Sequence, residues 1–151
     1  MKRSTIRQGS KSRATLLKAG LRANALFSSL CGVCLLVWGG GLADFLGFGL
    51  VWALRALGAG LLLFALELAF QAARTTPILW RARAAVALDW GWVLGSAALL
   101  WGFPDLYTER GGRLIAGVAA AVGALALIQG LGLARGLEEG RRPRPSGAGT
   151  D

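Results

Sequence analysis

The side chains of this chain whose types and spacing suit chemistry are two cysteines, Cys31 and Cys34 in C-G-V-C, and two carboxylates set in apolar sequence, Glu67 and Asp89. A C-x-x-C pair acts in redox exchange when a helix N-terminus or a cation activates one thiol and a second dithiol accepts the electrons. Here the pair lies well inside an apolar stretch with no cation beside it, and the chain has only these two cysteines. They read as small polarizable packing residues next to Gly32. A redox enzyme using both is the weakest of the readings.

The carboxylates carry more weight, because ionisable groups in apolar spans are costly and are kept where they bind or pair. Each of four apolar stretches supplies a hydrogen-bonding side chain at similar depth. These are Asn24, Ser28 and Ser29 in the first, Glu67 and Gln71 in the second, Asp89 in the third and Gln129 in the fourth. Helical spacing puts Gly60, Glu67, Gln71 and Arg74 on one face. It likewise puts Asp89, Trp92, Val93 and Ser96 on one side of the third stretch, and Gly91, Gly95, Ala98 and Gly102 on the other. The second group contains a G-x-x-x-G spacing suited to close helix packing, so this helix is expected to meet protein on both sides. Trp92 is placed to donate its indole N–H to Asp89 or to shield it from lipid.

Two functions suit this polar layer. In one, Glu67 and Asp89 line a cavity open to the cytoplasm and hold a proton, a cation or the polar head of a lipid or quinone. In the other, they fix helix register by pairing with Arg74, Arg81, Arg83, Lys18 or Arg22. Polar contacts in bilayers contribute about 0.6 to 2 kcal/mol each, enough for that task. The proximity of basic residues favours the register role.

The elements that must position these groups are membrane spans. The 151 residues are 54% hydrophobic, with 23 glycines and a mean hydropathy of +0.53. A spanning helix takes roughly 20 apolar residues, and four segments qualify, at about 24–40, 49–73, 84–103 and 114–134. The expected fold is therefore an all-α membrane protein, a bundle of four transmembrane helices with short loops. Strand-like alternation is absent, which argues against a barrel. Residues 1–22 form a basic arm and 136–151 a Gly- and Pro-rich tail read as disordered. The basic start could also be a cleaved targeting segment, but it is longer than the basic region of a usual signal peptide and reads as retained.

The net charge is +9, and its distribution speaks for topology rather than for nucleic acid. Lys2, Arg3, Arg7, Lys11, Arg13, Lys18 and Arg22 precede the first span. Arg74, Arg81 and Arg83 fall at the second connection, and Arg135, Arg141, Arg142 and Arg144 at the end. By the positive-inside rule both termini are cytoplasmic. Trp38, Trp52, Trp101 and Tyr107 then mark the outer boundary and Trp80 the inner one, as interfacial aromatics do. Arg55 lies near the outer end of the second span and is expected to snorkel outward, with Asp44, Asp105 and Glu109 as alternative partners. On the fourth span, Gly117, Ala121 and Ala124 form a ridge for close packing.

With no histidine and isolated cysteines, the sequence supports no zinc or dinuclear iron site, no catalytic serine and no cofactor. The segments LRANALFSSL, ALDWGWVLGSAALLWG and ALALIQGLGLAR together resemble a group of small bacterial four-span membrane proteins. Asn24, Phe27, Ser28, Asp89, Trp92, Gly95, Ser96 and Gln129 are the marker positions. That resemblance implies a four-span membrane protein but no activity; the chain is read as lying in the cytoplasmic membrane. Small multidrug exporters have a similar size but carry their working Glu in the first span, where this chain has none. The expected function is an interaction or accessory subunit of a membrane complex, meeting a partner or a second copy through the Gly91/Gly95 face. The alternative is a small oligomeric proton-coupled transporter, or a lipid- or quinone-binding protein, using the polar layer.

Overall fold

A computed structural model of the protein describes residues 3–47, 49–75 and 78–141, with side chains described between residues 16 and 134. Its described residues form five α-helices and one 3-10 turn, and no strand. The helices are α1 (Arg3–Val37), α2 (Gly39–Leu46), α3 (Val51–Ala73), α4 (Leu79–Gly102) and α5 (Glu109–Arg141). Four segments are long and apolar enough to cross a bilayer: Leu16–Val37, Val51–Ala73, Leu79–Gly102 and Glu109–Ala134. The molecule is an all-α bundle with the build of a multi-pass membrane protein.

Several boundaries differ from those expected. The helix of the first span starts well before residue 24: Leu17 and Leu21 pack ahead of Asn24, and the helix runs from Arg3. The third span begins five residues early. At the far end α5 runs on through Arg141, where disorder was expected from residue 136; its Leu, Glu and Arg residues are good helix formers, and the first proline comes only at 143. The rest of the proposed tail, 142–151, lies outside the described residues.

The Gly39–Gly41 run does not simply end a helix. The chain breaks at Trp38 (φ −108°, ψ 20°), and the three glycines open α2. This short helix buries Ala43 and Leu46 against α3 and α5. It ends at Gly47, whose φ of 87° suits glycine alone. Thr108 then ties α2 to the start of α5. Its N–H donates to Leu46 O at 2.8 Å, its hydroxyl donates to Phe45 O at 2.6 Å, and the same oxygen accepts the Gly111 N–H at 3.0 Å. That last bond is an N-cap, satisfying an amide left free in the first turn.

Packing runs in the order α3, α1, α5, α4. At the centre of the α1–α3 contact, a Cβ on Gly32 would lie 2.8 Å from Gly58 O, and one on Gly58 would lie 2.9 Å from Gly32 O. The two backbones therefore touch. Although consecutive, α3 and α4 are not packed side by side. One apolar cluster (Leu21, Ala25, Leu68, Ala72, Ala85) closes the end of the bundle that carries the α3–α4 connection, here the terminal end. Another (Ala43, Leu46, Leu54) closes the opposite, loop end. Large apolar side chains such as Trp52, Leu63, Leu66, Leu94 and Trp101 face outward, as lipid contact requires.

Candidate intramembrane binding site

Between the two apolar clusters the bundle is not filled. A cavity of about 240 Å³ lies there, half open, and all four long helices line it. Phe27, Ser28 and Cys31 come from α1, Leu61 and Phe64 from α3, Leu88, Asp89 and Trp92 from α4, and Val118 and Val122 from α5. The missing α3–α4 contact leaves the opening on the lateral face of the bundle, where Leu88 is 63% exposed. The wall is apolar except for Ser28 and Asp89.

Asp89 lies ten residues after the start of α4, level with Asn24 on α1 and Gln129 on α5. It is only 5% exposed. Asn24 Nδ2 donates to its Oδ2 at 2.6 Å and Gln129 Nε2 donates to the same oxygen at 3.2 Å. Ser28 Oγ donates to Asn24 Oδ1 at 3.3 Å, so both polar ends of the amide are engaged. Amides from α1 and α5 thus hold the carboxylate beneath the cavity, and no donor among the described residues reaches Oδ1. Two buried polar atoms, Trp92 Nε1 and Gln129 Oε1, have no hydrogen-bond partner among the described residues. The expected bond from Trp92 to Asp89 is not formed.

Glu67 and Gln71 do not join this group. Gln71, fully buried, donates to Glu67 Oε1 at 2.8 Å and accepts the Ile78 N–H at 3.0 Å, while Arg81 Nε approaches Glu67 Oε1 at 3.4 Å. This clasp joins α3 to the start of α4 at the terminal end. The two carboxylates expected in one layer therefore occupy separate sites, because the short α3–α4 connection brings Arg81 to Glu67 first. Among the described residues, Arg81 alone of the basic partners expected pairs with either acid; Arg74 lies over the Phe70 ring at 5.3 Å. Asp89 is held by amides instead.

Other expected residues are placed as follows. Ser96 is buried on the Asp89 side of α4, two turns nearer the loop end. Gly91, Gly95 and Gly102 are exposed with open space where a Cβ would stand, so that face of α4 meets none of the described residues. Gly117 is open too, while the close approaches fall on Gly32 and Gly58. Cys31 and Cys34 are free, the first on the cavity wall and the second exposed. Arg55 lies with its stem beside Gly39, near the loop end.

What sequence reasoning missed was the rest of the wall. Phe64, Leu61, Leu88, Val118 and Val122 are ordinary span residues, and only the splaying of α3 from α4 makes them a lining. Comparison with protein-family models, curated proteins and solved structures finds no match, so the geometry alone carries a functional reading.

Proposed function

We propose that this chain is an intramembrane binding protein that takes a lipid-soluble small molecule sideways from the bilayer and holds its polar group at Asp89. The half-open cavity with one acid in its wall is the observation that carries this reading. Ligand sites are apolar hollows with a few well-placed polar groups, and here Asp89 is oriented by Asn24 and Gln129 before any ligand arrives. Orientation follows the charge pattern: the terminal end faces the cytoplasm, in the cytoplasmic membrane, and a reporter domain fused after residue 151 is then active only inside the cell. The binding test is a native mass spectrum of the protein released gently from its own membrane. A single small-molecule adduct, lost when Val118→Phe fills the cavity, supports the proposal; adducts that survive the substitution count against it.

A second reading rests on the open face of α4. Gly91 and Gly95 leave room for the backbone of another helix to approach closely, which suits an accessory subunit held against a partner's transmembrane helix. Gly95→Leu should then dissociate a co-purifying subunit while leaving the cavity adduct in place.

A further inference from the structure

No cationic side chain among the described residues pairs with Asp89. The groups facing it are neutral: Asn24 and Ser28 from α1 and Gln129 from α5. The part of α3 on the cavity wall is Leu61 and Phe64, and the nearest acid–base pair of that helix, Glu67 with Arg81, is closed on itself. A buried carboxylate is costly unless a cation or several hydrogen bonds offset the lost hydration. Asn24 and Gln129 both donate to Oδ2, and no donor among the described residues reaches Oδ1.

The wall above Asp89 carries aromatic rings from three helices, Phe27, Phe64 and Trp92. Ring faces attract cations as well as apolar groups. An apolar cavity of about 150 Å³ accepts benzene, so about 240 Å³ admits on the order of ten heavy atoms by the same scale. The lateral opening is in the apolar zone, which selects a molecule that enters from lipid.

Resting on the reading of the cavity as a binding site, we infer that its ligand is a small lipophilic organic cation, an ammonium bearing an aryl or alkyl body, with the nitrogen at Asp89 and the body between Phe27, Phe64 and Trp92. The carboxylate supplies the opposite charge and the rings cover the body. A phosphate-bearing lipid head is disfavoured by the same carboxylate.

Three compounds of about ten heavy atoms separate charge from shape: N,N-dimethylbenzylamine, protonated at neutral pH; its hydrocarbon isostere isobutylbenzene; and the neutral donor 4-isopropylphenol. Binding of each is measured by equilibrium dialysis against the full chain in phosphatidylcholine nanodiscs, with partition into empty nanodiscs subtracted. The expected result is saturable amine binding at least ten-fold tighter than either neutral compound, reduced at least ten-fold by Asp89→Asn. Phe64→Leu and Trp92→Leu should weaken the amine several-fold and isobutylbenzene far less. Equal binding of amine and hydrocarbon overturns the inference and leaves the cavity reading standing, as does preference for the phenol. Absence of saturable binding by all three overturns both. Should Asp89→Asn fail to fold, the three-compound comparison on the unaltered protein still decides.

Discussion

Asp89 and Gln71 show how individual side chains hold this bundle where lipid offers no water. In a bilayer every polar group needs an internal partner, and interhelical hydrogen bonds contribute about 0.6 to 2 kcal/mol. Asn24→Leu removes the closer donor to Asp89 and the acceptor for Ser28. It should cost about 1 to 2 kcal/mol in reversible unfolding in bicelles. Asp89→Asn should cost less than about 1 kcal/mol, because the new amide oxygen can accept both existing donors. At the clasp the order is set by burial. Gln71→Leu strands the Ile78 N–H and should cost about 1 to 3 kcal/mol. Glu67→Gln loses an ion pair whose side chains are 37% and 35% exposed, worth at most about 1 kcal/mol. Equal losses from Gln71→Leu and Glu67→Gln would mean that the clasp is held by charge, not by the buried amide. The sequence displayed these residues as polar groups at similar depth. It did not display which of them meet, since periodicity assigns a face and not the helix opposite.

At the scale of elements, glycine spacing shows the same limit. Gly91 and Gly95 have the pattern of a packing motif, yet α4 turns them outward, whereas Gly32 and Gly58, one on each helix, let α1 and α3 touch. Gly32→Ala and Gly58→Ala should each destabilise the monomer by about 1 to 3 kcal/mol through overpacking. Gly91→Ala and Gly95→Ala should stay within about 0.5 kcal/mol. Unfolding of the four variants in detergent distinguishes the two faces directly. Four spans were legible because about 20 apolar residues in a row have one physical solution in lipid. The helix α2 was not, because its eight residues begin with three glycines and gain their order from burial against α3 and α5. Its tie to α5 is equally local: Thr108→Val removes both hydroxyl bonds. That change should cost about 0.5 to 2 kcal/mol and speed hydrogen exchange at the Gly111 amide.

For the whole molecule, the unusual feature is that the bundle packs at both ends and stays open in the middle. The terminal apolar cluster and the Glu67–Gln71–Arg81 clasp hold α3 and α4 together at that end, and their separation above it makes the cavity. Hydropathy cannot show such a space, because lining and lipid-facing residues are equally apolar. Among the described residues that line the cavity Trp92 is the one tryptophan, which provides a direct reading of occupancy. Bromobenzene quenches indole fluorescence on contact and is close in size to the benzene that an apolar cavity accepts. Titrated into nanodiscs carrying the protein, it should produce a saturable quenching component that toluene competes away and that Trp92→Phe abolishes. Quenching that only rises in proportion to bromobenzene in the bilayer, with no saturable part, would contradict the binding site.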